Sequence, residues 1–215
     1  MINTKNLILI GGGGHCKAVI DVAEGAGYLI LGILDIAENI GKKVLGYPII
    51  GTDEMIPEFA MKALFLVTVG QIKNAQLRID IHRKISNCGG HLATLIASSA
   101  YVSKYSEIGE GTVIMNQAVI NADSRIGKGC IINTFADIEH DTIVDDYCHI
   151  STGAIVNGNC FVGKGSFLGS QAVMVNGISI VDFSFIAAGS VVIKSITQKG
   201  LFAGNPAHFK KSLLN

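Results

Sequence analysis

The sequence contains no tryptophan, and aromatic residues make up only 7% of its 215 residues. A surface that stacks nucleic-acid bases needs exposed aromatic side chains, and nothing in the composition indicates one. The 17 basic and 17 acidic side chains cancel at neutral pH. Nucleic acid or an anionic membrane would require a basic face, so we expect neither as the main partner.

Long apolar runs and paired cysteines are also missing. No stretch approaches the roughly 20 apolar residues of a membrane-spanning helix, and the apolar run at residues 7–10 is too short for a secretory signal core. We therefore expect a cytoplasmic protein. The five cysteines are odd in number and form no C-x-x-C pair, which is typical of reduced, structural thiols.

The sequence does contain a six-residue repeat, which runs from residue 96 to residue 192. Counted from Ala100, the third residue of all sixteen hexads is aliphatic, and the first is Ala, Ser, Thr or Cys in fifteen, Ile178 being the exception. This period fits neither a helix nor an ordinary hairpin. It predicts a solenoid of short strands that turns a corner at each hexad and stacks its aliphatic side chains inward. Ile96 would extend the inward series by one position.

The first ~95 residues have a different pattern. An apolar strand at residues 7–10 is followed by Gly11 to Gly14, His15, an amphipathic helix and a second strand that ends on Asp35. Together they resemble half of a nucleotide-binding βαβ unit, in which a helix N-terminus favours a phosphate. The dinucleotide fingerprint fails, because Cys16 and Lys17 stand where it needs glycine. We expect no redox cofactor, and a plain tight turn is the alternative.

A further apolar strand at residues 63–69 ends at Gly70, and a helix is predicted over residues 74–86. Its spacing places Leu77, Ile81 and Ile85 on the buried face and Arg78 outside. Residues 1–95 are therefore predicted to form a small α/β domain, and residues 96–215 a solenoid with a short C-terminal tail. The strand ends bring the glycine loop, Asp35 and Gly70 to one sheet edge, where open α/β sheets bind ligands.

One hexad carries an unusual triplet, in which His140 stands between Glu139 and Asp141. A neighbouring carboxylate fixes the tautomer of an imidazole and raises its basicity, as a general base near neutral pH requires. An exposed polar corner is the alternative. His149 precedes an inward isoleucine, and we predict that it is a binding contact rather than a second base.

Two further residues fall close to this triplet in a stacked solenoid. Asn133 lies one hexad before it and supplies an amide. Gly158 lies one coil beyond it, where a backbone N–H would be positioned to stabilise an oxyanion.

Over almost its full length the chain resembles the bacterial sugar acetyltransferases that include the bacillosamine and perosamine N-acetyltransferases and the sialic acid O-acetyltransferases. The matching segments are LILIGGGGHCKAVID, GILD, YPIIGTDEMI, VTVGQIKNAQLR, IINTFADIEHDTIVDDYCHISTGAIVNGN and FAGNPA. This resemblance implies a half-Rossmann α/β domain followed by a left-handed parallel β-helix. It also implies a homotrimer with active sites between protomers, acetyl-CoA as co-substrate and no metal.

The resemblance also implies a role for each matching residue. His140 would be the general base and Asp141 would raise its basicity, with Glu139 as the competing candidate. Gln71-Ile72, Ile36 and Ala188 depart from the residues common in the family. The remaining implied roles are sugar binding by Asn133, acetyl-CoA binding by His149, Gly158, Ser170 and Ala188, and nucleotide binding by Gly13, Gly14, His15, Asp35, Ile36 and Gly70.

The function that we predict is acetyl transfer from acetyl-CoA to the amine of a nucleotide-linked amino-deoxy sugar. Acetylation of a hydroxyl on a sialic-acid-like nonulosonic acid would use the same residues. A zinc hydratase would need three histidines around the metal, and the repeat offers only His140 and His149. A non-catalytic trimeric scaffold is the third alternative.

Overall fold

The computed structural model describes residues 5–72 and 74–212. The chain divides into two compact units, of which the first comprises Met1–Gly70 and Gln76–Ser98 and the second Gln71–Ala75 and Ser99–Asn215. Residues 1–4 of the predicted N-terminal domain and residues 213–215 of the predicted tail lie outside the described residues. Each unit has its own hydrophobic core.

The first unit is an α/β structure. Its strands are β1 (Asn6–Ile10), β2 (Leu29–Leu34), β3 (Lys43–Val44), β4 (Tyr47–Gly51), β5 (Leu64–Val67) and the short β6 (Leu95–Ile96), and its helices are α1 (Gly14–Gly25), α2 (Ile56–Phe59) and α3 (Gln76–Asn87), with short 3₁₀ turns at Ala37–Asn39 and Asp53–Met55. The sheet order is β3-β4-β2-β1-β5, and β1 lies between two parallel neighbours. Residues 7–10 are therefore buried, with no side chain more than 3% exposed, as their continuous apolar run predicts.

Helix α3 buries a different face from the predicted one. Leu77 is 60% exposed, whereas Arg78 is 1% exposed and His82 is also buried. The guanidinium of Arg78 donates hydrogen bonds to the carbonyl oxygens of Val67 (3.1 Å) and Val69 (2.7 Å). Val67 is the last residue of β5 and Val69 lies two residues beyond it, and the buried arginine satisfies both carbonyls. The prediction that Arg78 lies on a solvated face is wrong.

The second unit is the predicted left-handed parallel β-helix. Equivalent residues of successive coils are 18 positions apart, so Val119 pairs with Asp137 and Asp137 pairs with Ile155. The strands of the first face are Tyr101–Val102, Val119–Ile120, Asp137–Ile138, Ile155–Val156, Val173–Met174 and Val191–Val192; those of the second are Glu107–Ile108, Arg125–Ile126, Ile143–Val144, Phe161–Val162 and Ser179–Ile180; those of the third are Val113–Ile114, Ile131–Ile132, His149–Ile150, Phe167–Leu168, Phe185–Ile186 and Leu201–Ala203.

Inward aliphatic residues form the core as the hexads predict. Ile132, Ile138 and Val144, one from each face, have no exposed surface. Most of the small first residues of the hexads are buried directly after a corner, and several of their hydroxyl or thiol groups donate to carbonyls of the next coil, as Thr112 does to Gly127 (2.7 Å) and Cys130 to Asp145 (3.2 Å). Size and donor capacity together explain why this position holds Ala, Ser, Thr or Cys.

Each corner is made by the last residue of the hexad. Its φ is positive in fourteen successive hexads, from Gly111 (φ 70°) to Gly189 (φ 66°). Eight of these positions hold a residue other than glycine, among them Phe135, Asp141 and Asn159. The stacked, hydrogen-bonded coils on both sides thus hold a conformation that most side chains disfavour.

The two ends of the repeat depart from the regular pattern. Ile96, predicted to point inward, is 39% exposed, and Leu95 is buried instead. At the other end, the predicted tail contributes the strand His208–Lys211, which pairs antiparallel with Leu201–Ala203 on the third face. The turn between them contains residues 204–207.

Candidate active site

His140 lies at the corner that joins the first face to the second, which we call the first corner. Its side chain is 60% exposed, and its Nδ1 is 2.7 Å from Oδ2 of Asp141. A carboxylate only accepts hydrogen bonds, so Nδ1 carries the proton and Nε2 is left as the basic nitrogen. Asp141 adopts a left-handed φ of 59°, which turns its side chain back onto the ring of the preceding residue.

The pKa of His140 is raised, chiefly by the hydrogen bond with Asp141. The charges of Asp141 and Glu139 act in the same direction, whereas desolvation opposes them. Glu139 contacts the backbone N–H of His140 (3.4 Å) rather than its ring. The structure therefore distinguishes the two carboxylates, because Asp141 alone binds the imidazole.

Gly158 lies one coil above His140, and the ring rests against it. A Cβ atom at residue 158 would lie 2.7 Å from Cε1 and 2.8 Å from Nε2 of His140. Glycine is therefore needed for this ring position, although its φ is ordinary. At the equivalent hexad position, the backbone N–H of Lys128 and that of Lys164 each donate to an aspartate, but the N–H of Gly158 has no acceptor within the described parts of the chain.

His149 has a different environment, on the third face. It is 8% exposed, and its Nδ1 is 2.6 Å from the carbonyl oxygen of Gln71 while its Nε2 is 3.2 Å from Nδ2 of Asn133. Oδ1 of Asn133 accepts from the N–H of Thr134 (2.8 Å), so the amide donates to Nε2 and Nδ1 donates to Gln71. Both ring nitrogens are thereby engaged in one neutral tautomer.

Asn133, Ser170 and Ala188 follow third-face strands, at the corner that joins this face to the first, which we call the third corner. The hydroxyl groups of Ser151 and Ser170 are 3.1 Å apart, and Ser170 and Ala188 are exposed. A side chain at Gly169 would collide with the backbone nitrogen of Ala188, so the coils are in close contact there.

The predicted transfer residues thus fall into two groups in one chain. His140, Asp141 and Gly158 lie at the first corner, whereas Asn133, Ser170 and Ala188 lie at the third. The two corners are the opposite edges of the first face, so a single solenoid does not bring the two groups together.

The predicted nucleotide-binding residues lie in the first unit, at the carboxyl ends of β1, β2 and β5. Asp35 organises the loop, because Oδ2 accepts from the N–H of Gly12 (3.0 Å) and Oδ1 from that of Ile36 (2.8 Å). Gly13 and Gly14 are exposed, and a Cβ at either would meet no atom within 4 Å. Gly13 caps helix α1 without a side-chain hydrogen bond, so the helix N-terminus is open to an anion.

The other predicted residues of this group lie close by. Gly70 follows β5, and a Cβ there would be 3.8 Å from the Cβ of His15. Ile36 is 61% exposed. The contact between His149 and the backbone of Gln71, the residue after Gly70, was not predicted, because only the fold brings this carbonyl to a ring 78 residues away.

The described residues contain neither a candidate membrane-spanning helix nor a candidate metal site. No helix in them is long and apolar enough to cross a membrane. No group of three or more histidine, cysteine, aspartate or glutamate side chains in them is arranged to hold a metal ion.

The architecture is that of a hexapeptide-repeat transferase. Residues 6–85 match the profile of the PglD N-terminal domain, and residues 105–136 match that of the bacterial transferase hexapeptide (six repeats). Comparison with curated proteins gave no match.

Solved structures give closer comparisons. Perosamine N-acetyltransferase from Caulobacter crescentus, in complex with CoA and GDP-perosamine, is 34% identical with a TM-score of 0.89, over 96% of this chain and 97% of that one. In two related structures of that enzyme a histidine is replaced, once by asparagine and once by alanine. The acetyltransferase domain of PglB from Neisseria gonorrhoeae, with acetyl coenzyme A, is 32% identical with a TM-score of 0.88, over 97% and 100% of the two chains.

A more distant structure shares the fold. WeeI from Acinetobacter baumannii is 21% identical with a TM-score of 0.86, over 95% of this chain and 99% of that one. The chain belongs to the family of hexapeptide-repeat sugar acetyltransferases with a PglD-type N-terminal domain, and it is an acetyltransferase. The predicted family and fold are thereby confirmed.

Proposed function

We propose that the protein transfers the acetyl group of acetyl-CoA to the amine of a nucleotide-linked amino-deoxy sugar. The observation that carries this proposal is the state of His140. Its Nδ1 is held by Asp141 at 2.7 Å, its side chain is 60% exposed, and its Nε2 lies beside Gly158, which has no side chain. This is the arrangement of a general base poised for an incoming nucleophile.

The chemistry needs little else from the protein. Acetyl-CoA supplies an activated thioester. His140 removes a proton from the amine as its nitrogen attacks the carbonyl carbon, the carbon–sulfur bond breaks, and the proton passes from the imidazolium to the departing sulfur. Asp141 stabilises the imidazolium that forms in between. Because the pKa of His140 is raised, the ring is a stronger base than an unpaired histidine.

We assign the stabilisation of the developing oxyanion to the backbone N–H of Gly158. This N–H lies next to the imidazole of His140. It has no acceptor in the described parts of the chain. A preorganised donor at the point where charge develops is a large contribution to such reactions.

We assign the nucleotide of the acceptor to the glycine loop of the first unit. Gly13 and Gly14 leave the N-terminus of α1 accessible, which favours a diphosphate. GDP-perosamine bound to the Caulobacter relative supports a nucleotide sugar as the acceptor class. His15, Asp35, Ile36 and Gly70 complete the proposed pocket, and Asn133 contacts the sugar.

The division of the transfer residues between two corners supports a cyclic homo-oligomer. The outward side chains of the first face are mostly aliphatic and half-buried, namely Val119, Ile155, Val173 and Val191. Those of the second face are mixed, with Glu107 and Arg125 beside the exposed Ile143 and Phe161. If first faces pack around an axis parallel to the solenoids, the first corner of each protomer meets the third corner of its neighbour. The family resemblance favours three protomers.

Asp137 is the polar member of this aliphatic row. Its Oδ1 is buried and has no hydrogen-bond partner within residues 5–72 and 74–212. Burial, followed by the charge of Glu139, raises the pKa of the Asp137 carboxyl. A buried oxygen without a donor is costly, so a donor from a neighbouring protomer would resolve it.

Mass spectrometry of reaction products tests the proposed activity. UDP-, GDP- and dTDP-linked amino sugars are incubated with acetyl-CoA, and we expect a mass gain of one acetyl group on at least one amine. Matched sugars with a hydroxyl in place of the amine are the controls. Equal or faster turnover of a hydroxyl acceptor, such as a nonulosonic acid, would overturn the proposed amine specificity in favour of O-acetylation.

A further inference from the structure

The third corner carries an exposed aromatic side chain that the transfer mechanism does not use. Phe135 is the last residue of its hexad, two positions after Asn133, and it is 60% exposed. Its φ is 60°, in the left-handed region that bulky side chains rarely adopt. An exposed ring on a strained backbone stabilises neither the corner nor the core, and such outliers cluster at ligand contacts.

Two other aromatic residues adopt the same backbone conformation, and the comparison sets Phe135 apart. Tyr147 (φ 57°) and Phe183 (φ 55°) lie at the corner that joins the second face to the third. Tyr147 is 6% exposed, and the ring of Phe183 covers Gly165, where a Cβ would lie 2.5 Å from Cε1 of that ring. The ring of Phe135 takes part in no stacking or cation–π contact among residues 5–72 and 74–212. Tyr147 and Phe183 thus pack on their own solenoid, whereas Phe135 presents its ring to the outside.

Phe135 also lies at the level of His140 along the solenoid. Each coil of 18 residues rises by one strand spacing, so Phe135, five residues before His140, lies only about 1.3 Å lower. The two glutamines of the same column, Gln117 and Gln171, differ from His140 in level by roughly 6 and 8 Å. A cyclic axis parallel to the solenoids leaves levels unchanged. Where first and third corners of neighbouring protomers meet, the ring of Phe135 therefore stands level with the neighbour's imidazole.

The two sides of this boundary have complementary chemistry. The first corner supplies polar groups from Glu139, His140 and Asp141, and Phe135 adds a large apolar surface with few rotatable bonds. A pyranose ring has hydroxyl or amine groups around its edge and C–H groups on its faces. Ligand sites typically combine such an apolar wall with a few polar groups that fix the orientation of the ligand.

We infer that Phe135 of one protomer packs against the C–H face of the acceptor sugar whose amine faces His140 of the neighbouring protomer. The inference rests on the proposed function, because it needs the acceptor at His140 and a boundary between first and third corners. Phe135 is then a binding residue, since its ring holds the sugar and takes no part in proton transfer.

Phe135→Gly removes the ring and also relieves the left-handed φ. We expect the KM for the amine acceptor to rise about tenfold, which corresponds to about 1.4 kcal/mol, while the KM for acetyl-CoA is unchanged and the melting temperature is not lowered. Phe135→Tyr keeps the ring and should retain the wild-type KM. Gln117→Gly is the matched control, because this exposed residue has the same hexad position and a φ of 58°, and it should alter neither KM.

Three results with Phe135→Gly would overturn the inference. An unchanged acceptor KM would remove the sugar contact. A higher KM for acetyl-CoA alone would assign the ring to the co-substrate. Dissociation of the oligomer in analytical ultracentrifugation, or a lowered melting temperature, would assign it to protein packing.

Co-expression of full-length Phe135→Gly and His140→Ala chains tests whether the two residues act across a protomer boundary. Every mixed ring then contains a boundary at which His140 of the first variant faces Phe135 of the second. We expect this boundary to restore a site with the wild-type acceptor KM, which neither variant has alone. Only the raised KM of Phe135→Gly in the mixture would overturn the inference. A wild-type protein that acetylates no amine acceptor would instead overturn the proposed function.

Discussion

His140 and His149 occupy the same solenoid but present opposite environments. His140 is 60% exposed and has one nitrogen held by a carboxylate and the other open. His149 is 8% exposed and has both nitrogens engaged, by Gln71 and Asn133. The comparison indicates what the proposed base requires, an unoccupied nitrogen and a charged partner, whereas an imidazole with two neutral partners is suited to holding other groups in place.

The sharpest test of this comparison is His140→Ala. Removal of a positioned general base typically costs 10²–10⁴-fold in rate, and we expect a loss of kcat in this range with an unchanged melting temperature. His91→Ala, which removes an exposed histidine in the first unit, should have no effect. An undiminished rate in His140→Ala would exclude the catalytic role and favour the scaffold alternative.

Asp141→Asn isolates the contribution of the carboxylate. Asparagine tolerates the left-handed φ of 59° at this position better than alanine would. We expect kcat/KM to fall roughly tenfold, or about 1.4 kcal/mol in the barrier. The base acts only in its neutral form, so activity is lost as the pH falls through the pKa of His140. Because Asp141 is the main cause of the raised pKa, the acidic limb of the pH profile should move to lower pH.

Asp123 provides the control for that change. It occupies the same hexad position one coil earlier and has a φ of 62°, but Ala122 stands where the histidine would be. Asp123→Asn should alter neither the rate nor the pH profile. An unshifted profile in Asp141→Asn would instead assign the raised basicity to Glu139.

Two glycine substitutions test separately the position of the His140 ring and the packing between neighbouring coils. In Gly158→Ala the new methyl group meets the ring of His140, an exposed side chain that can swing away, so activity should fall roughly tenfold without loss of stability. In Gly163→Ala the methyl group would lie 2.5 Å from the backbone nitrogen of Asp182. Backbone cannot move as easily, so stability should fall by about 1–3 kcal/mol. Kinetics and thermal unfolding of both variants give the comparison.

His149→Ala should have the smallest effect on the chemical step. It leaves the carbonyl of Gln71 and the amide of Asn133 without their partner and removes an edge contact with Phe167 (5.1 Å between ring centroids). We expect a loss of about 1–3 kcal/mol in unfolding free energy, measured by denaturant titration, with kcat within a few-fold of wild type. A loss of kcat as large as that of His140→Ala would contradict the contrast between the two rings.

The solenoid was predictable because its physics is periodic. Each inward position must be aliphatic, so the same requirement is visible in all sixteen hexads. The His140 triplet is recognisable because it interrupts the usual pattern of polar residues. The same logic explains why Asp141 could not be chosen over Glu139 from the sequence. Only the backbone turn at residue 141 shows which carboxylate reaches the ring.

Helix α3 shows where such reasoning fails. The apolar spacing of Leu77, Ile81 and Ile85 predicted the buried face, but Arg78 is buried in place of Leu77. Arg78 is buried because its guanidinium donates hydrogen bonds to carbonyls near the end of β5. The spacing of apolar residues carries no information about such hydrogen bonds. For the same reason the engagement of His149 by the backbone of Gln71 was not foreseeable.

The 18-residue register also constrains how such a chain can change in length. Insertion of one hexad would keep the inward positions inward but carry every later residue onto the next face, which would take Ser170 and Ala188 away from the third corner. Insertion of a whole coil keeps all three faces in phase and only lengthens the prism. Gene duplication can therefore lengthen the solenoid in discrete steps of one strand spacing, while the triplet at the first corner is left undisturbed.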